Sequence, residues 1–114
     1  MRRVLSVLGG VFLVSLFFVS ACDPGSCPSD SETVWADVEP IFTEHCIACH
    51  DSSLTGADRA GALEEYNYDS PEAAAASPNW TWAEVTLGHM PPSEPLAEAD
   101  QQLIREWLAC GGPE

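Results

Sequence analysis

Cys46-Ile47-Ala48-Cys49-His50 sets two thiols three residues apart, with an imidazole directly after the second. On a helical turn, each thiol can add across one vinyl group of a porphyrin, and the next side chain then reaches the iron from the same face. This is the chemistry of covalent c-type haem attachment. A dithiol redox centre of the thioredoxin type also uses Cys-x-x-Cys, with a neighbouring histidine lowering a thiol pKa. Downstream, Gly88-His89-Met90-Pro91-Pro92 places a methionine between a glycine turn and two prolines, a rigid loop able to hold a thioether at fixed distance. Met90 and His50 together form a Met/His axial ligand set for haem iron. His89 is the competing donor, but Pro91 favours Met90, because a residue before proline is pushed toward an extended conformation.

Helices must carry these groups. Asp37 is expected to cap a helix whose first turn holds Pro40, a position where the missing amide has no intrahelical acceptor to lose. Val38, Ile41, Phe42, His45 and Cys49 then share one face, bringing the thiols to the buried side. Residues 51–68 read mainly as loop, with a helical turn expected between Ala60 and Tyr66. Ser70-Pro71 and Ser77-Pro78 each pair a cap with proline at the first helical position, predicting two short helices, the second ending near Gly88. Leu96, Asp100, Leu103, Ile104, Trp107 and Leu108 follow helical spacing up to Gly111-Gly112, predicting an amphipathic closing helix. Nothing alternates with period two and no segment repeats, so the expected fold class is all-α.

The run Trp35-Ala-Asp-Val-Glu-Pro-Ile-Phe-Thr-Glu-His-Cys-Ile-Ala-Cys-His50, the loop Gly88-His-Met-Pro-Pro92 and the ending Asp100-Gln-Gln-Leu-Ile-Arg-Glu-Trp-Leu-Ala-Cys-Gly111 resemble the single-haem cytochrome c-like domains of bacterial secreted proteins. The resemblance spans roughly residues 34 to 112. It implies a small helical domain wrapped around one covalent haem, with Cys46 and Cys49 binding the cofactor, His50 as proximal ligand and Met90 as distal ligand. Ala97 departs from the family pattern, which usually caps the closing helix with Ser or Thr. A domain of about 80 residues has few apolar side chains to spare, so the porphyrin would itself serve as core. Trp35, Trp80, Trp82 and Trp107 are candidates to pack on it, with an indole N–H bonding a propionate. Arg59 is either a propionate partner or a solvated loop residue. A fully coordinated iron has no open site for substrate, which implies a one-electron carrier rather than an enzyme, and one Cys-x-x-Cys-His is too few for a two-haem peroxidase. Two alternatives use the same residues: a thiol–disulfide oxidoreductase working through Cys46 and Cys49, and a haem-based sensor or assembly subunit.

Arg2-Arg3, the apolar run Val4 to Val19 and Ser20-Ala21-Cys22 have the order of an export signal. Val19-Ser20-Ala21-Cys22 further resembles a bacterial lipobox, cut before a cysteine that is then lipidated. The expected organisation is a lipoprotein-type signal peptide over 1–21, a lipidated tether over 22–33 and a cytochrome c-like domain over 34–114, on the periplasmic side of the cell envelope. After cleavage only Arg59 and Arg105 oppose 18 carboxylates, and there is no lysine, so the charge reaches −16. Nucleic-acid binding is excluded, since phosphate contacts need cations, and membrane contact falls to the lipid alone. A redox partner with a basic docking face would be steered by such a charge. Of five cysteines, Cys27 and Cys110 are left over, either as a disulfide permitted by export or as two free thiols. If small cytochromes c are the guide, their packed first and last helices would bring this pair together.

Overall fold

The computed structural model describes residues 22–114, so the export signal expected over 1–21 lies outside the described residues. The chain forms α1 (Trp35–His45), α2 (Ile47–His50), a 3₁₀ turn (Gly56–Arg59), α3 (Pro71–Ala75), α4 (Pro78–Thr86) and α5 (Glu98–Ala109). There is no strand among the described residues, and the fold class is all-α. Nor is any helix among them long and apolar enough to cross a membrane.

α1 begins three residues earlier than its sequence suggests. Val34 is the N-cap, and its side chain offers no acceptor. Asp37, at the third helical position, compensates by accepting a hydrogen bond from the Val34 amide at 2.9 Å. Its charge also suits the positive end of the helix dipole. Asp37 is therefore not the cap, and Pro40 sits inside the helix rather than in its first turn. The missing Pro40 amide strips a donor from the Ala36 carbonyl, a cost that stays small because Ala36 faces solvent. The helix breaks at Cys46 and resumes at once as α2, whose His50 amide returns to the Cys46 carbonyl at 3.0 Å.

Ser70 caps α3 by accepting from the Ala73 amide, and Pro71 and Pro78 occupy the first helical positions of α3 and α4. Ser77 marks the start of α4 without making a side-chain cap bond. α4 and α5 end alike. In α4 the Gly88 and His89 amides donate to the Val85 and Glu84 carbonyls, and in α5 the Gly111 and Gly112 amides donate to Leu108 and Trp107. These are Schellman closures, which need a left-handed residue after the cap; Gly88 and Gly111 supply it at φ 72° and 83°. The helical turn expected between Ala60 and Tyr66 forms earlier, over Gly56–Arg59.

α5 packs against α1 and α4. Between them lie Val38, Phe42, Ile104 and Trp107, all almost wholly buried, with Phe42 stacked on Tyr68 and on Trp35. The Trp35 amide donates to the Pro113 carbonyl, and so does the Trp107 indole. The start of α1 therefore lies beside the end of α5, and His45 at the end of α1 borders the same hollow as Ala97 and Asp100 at the start of α5. The flexible tether expected over 22–33 is shorter than that range. Cys27 is joined to Cys110 in a disulfide, and Glu106 accepts hydrogen bonds from the Ser31 and Thr33 hydroxyls at 2.5 and 2.8 Å. Residues 27–33 are thereby fastened to α5.

Candidate functional site

Cys46, Cys49 and His50, from the α1–α2 junction, border the same cavity as Met90, from the loop after α4. The cavity has a volume of about 300 Å³, and Phe42, Val85 and Leu96 give it apolar walls. The resemblance implied this meeting across 40 residues, and the packing of α4 and α5 brings it about.

His50 is held from two sides. Its Nδ1 lies 2.8 Å from the Tyr66 carbonyl oxygen. A carbonyl can only accept, so Nδ1 carries a proton, and in the neutral ring the lone pair sits on Nε2, the tautomer needed to bind a metal. The Tyr68 ring packs edge-on against the imidazole, with centroids 5.0 Å apart. Tyr68 is fixed in turn, stacking on Phe42 at 5.3 Å, sharing a 3.0 Å hydrogen bond with the Thr81 hydroxyl and donating its amide to the His50 carbonyl. Burial raises the pKa of the Tyr68 phenol, keeping it a neutral partner for Thr81.

Arg59 is 2 % exposed. It is not solvated, and no protein carboxylate lies within ion-pair distance of it among the described residues. Its guanidinium donates to the carbonyls of Asp51, Leu54, Ala62, Leu63 and Tyr66, tying residues 51–66 into one knot. The Tyr66 carbonyl thus receives both Arg59 and His50. Nearby, Asp51 accepts from the Ser53 hydroxyl and amide, which lowers its carboxyl pKa, and Arg59 adds to the effect.

Met90 is 37 % exposed and borders the cavity. Its amide and that of His89 both donate to the Glu84 carbonyl, so the closure of α4 at Gly88 positions the thioether. The Met90–Pro91 peptide bond is cis. His89 does not border the cavity: its side chain, 61 % exposed, lies 3.5 Å from the Glu84 carboxylate. Of the four tryptophans, only Trp80 borders the cavity, stacked on Tyr66 at 5.8 Å. Trp35, Trp82 and Trp107 belong to the helix core instead, and the Trp107 indole N–H is spent on Pro113.

Cys46 and Cys49 are free thiols. Burial, with Cys49 adding to it, pushes the Cys46 thiol up to about 12, so it is protonated at neutral pH. Among the described residues no three His, Cys, Asp or Glu side chains assemble around a common cation position. One imidazole and one thioether are too few donors for a bare ion. They fit a flat apolar group that brings its own metal donors and takes up two thiols for attachment. No protein-family model matches the chain, and no curated protein or solved structure matches it.

Proposed function

We propose that this protein is a single-haem c-type cytochrome that carries one electron at a time at the cell envelope. The observation that supports this most is the convergence of Cys46, Cys49, His50 and Met90 on one apolar cavity, with His50 Nε2 left free. Cys46 and Cys49 would hold the haem through their sulfurs, and His50 and Met90 would ligate its iron. When bound, the haem supplies a reversible one-electron couple.

The chain's residues prepare for this in separate ways. Tyr66 fixes the tautomer of His50, and Tyr68 fixes its plane. Phe42, Val85 and Leu96 would pack on the apolar face of the bound group. Gly88 and Glu84 present Met90. With His50 and Met90 both bound, the iron would have no place for oxygen or substrate, and a Met/His pair would favour a high potential. Hence a carrier is proposed and not an enzyme.

The thiol–disulfide alternative fares worse. A nucleophilic cysteine needs a depressed pKa, whereas burial raises that of Cys46, and its usual fold rests on a sheet that the described residues lack. Cys22 is exposed and unpaired, compatible with lipidation at the envelope. From Cys22 to the disulfide at Cys27 the chain spans at most about 18 Å, so a lipid would hold the domain close to its membrane. The partner proposed is a redox protein with a basic face, drawn by the acidic surface.

The test is a visible spectrum and a haem stain after acid–acetone extraction of protein matured with c-type machinery. Covalently retained haem is the expected result. A colourless protein with a titratable dithiol would refute the proposal. Fractionation of a Cys22→Ser variant checks the anchor, which is absent if wild type is already soluble.

A further inference from the structure

A fully buried guanidinium without a carboxylate is costly unless its protons are satisfied. Arg59 meets that condition with five backbone carbonyls, and no carboxylate lies within ion-pair distance of it among the described residues. A loop of 16 residues could be closed more simply with apolar contacts. The cation therefore stands where a charge matters, on the wall of the cavity. It also touches the one acceptor that His50 uses: Arg59 Nη2 lies 3.1 Å and His50 Nδ1 2.8 Å from the same Tyr66 oxygen.

Two donors on one oxygen compete. A cation drawing on the carbonyl weakens it as an acceptor for the imidazole N–H, which leaves the imidazole with less anionic character and Nε2 less basic. Through space, the same fixed charge disfavours the more positive oxidised centre. Both effects act in one direction.

We infer that Arg59 is a positioning residue that sets the donor strength of His50 through the shared Tyr66 carbonyl and holds the reduction potential up. This rests on the haem reading above. The step concerned is the gain of one electron from a reduced partner protein, with no proton or bond exchanged. Arg59 shifts its equilibrium and touches none of the reacting atoms.

The experiment uses the full chain carrying its covalent haem, in wild type, Arg59→Met and Arg59→Lys forms. Two quantities are read: the potential by mediated spectroelectrochemical titration, and the His50 Nδ1–H shift by proton NMR of the reduced protein. In Arg59→Met the equilibrium constant for reduction should fall about tenfold, about 59 mV for one electron. The Nδ1–H resonance should move downfield as its acceptor is relieved. Arg59→Lys keeps the charge but loses the planar fork, so its potential should fall less, and it carries the test if Arg59→Met does not mature. An arginine serving only to knot the loop would alter unfolding and leave both quantities unchanged in the haem-loaded variants. An unchanged value of either one overturns the inference, as does failure of both variants to accumulate with haem. A colourless wild type is a different result, and it refutes the haem reading itself.

Discussion

Gly111 and Gly112 are adjacent, both left-handed at φ 83° and 68°, and alike in sequence terms, yet the structure gives them unequal work. A Cβ on Gly111 would meet nothing within 4 Å. One on Gly112 would stand 2.4 Å from the Ala75 Cβ and 3.1 and 3.3 Å from two carbons of the Trp107 ring. Alanine at either position has the same conformational cost, about 1 kcal/mol for a left-handed residue. At Gly112 it must also displace a backbone-anchored methyl and a ring that is 0 % exposed. Overpacking of this kind adds about 2 kcal/mol. Gly111→Ala should thus lose about 1 kcal/mol and Gly112→Ala about 3. The difference is the cleaner quantity, because the effect of alanine on the unfolded chain is common to both. Urea unfolding of the two variants measures it, read from midpoints at constant slope, and a domain of this size should show a melting difference of about 10 °C. The visible spectrum should be unchanged in both, since neither glycine borders the cavity. Equal losses would refute the reasoning, showing that α3 and the end of α5 are not in the contact described.

Met90→Ala should abolish the weak sulfur-to-iron absorption at the red end of the oxidised spectrum and lower the potential, whereas His89→Ala should do neither; survival of the band in Met90→Ala would exclude Met90 as ligand. Glu106 gives a pH dependence: the Ser31 and Thr33 hydroxyls lower its folded pKa below the ordinary 4.5. A depressed carboxyl contributes stability that is present above the unfolded pKa and lost as pH falls through the folded one. The advantage of wild type over Glu106→Gln in urea midpoint should accordingly be constant near neutrality and shrink below about pH 4.5, and a gap that does not close on acidification would show that the hydroxyls do not depend on the carboxylate.

What the sequence determined by itself is what short-range geometry fixes. The spacing of Ile104, Trp107 and Leu108 defines the buried stripe of α5, Ser70-Pro71 and Ser77-Pro78 open α3 and α4, and Gly88 and Gly111 close α4 and α5. Each depends on hydrogen bonds between residues at most five apart, so local residue types suffice. Cys46, Cys49 and His50 fall in the same class, being neighbours in one helical turn. Pro40 shows the limit even there: helix α1 is set by the burial of Val38, Ile41 and Phe42, and that packing outweighs one lost amide bond.

Only the tertiary structure decided the rest. Arg59 looks like an exposed loop cation because its five acceptors are backbone carbonyls, which every residue has and no residue type announces. Whether a tryptophan meets the cavity or the helix core depends on which face of its helix packs against its neighbours, and this separates Trp80 from Trp35, Trp82 and Trp107. The polar composition of residues 22–33 reads as a free tether, yet the grip of Glu106 and Cys110 on it spans more than 70 residues of chain. Met90 reaches the cavity of His50 by the same route, since a contact across 40 residues is made by the packing of the helices between and around them, not by the residues themselves.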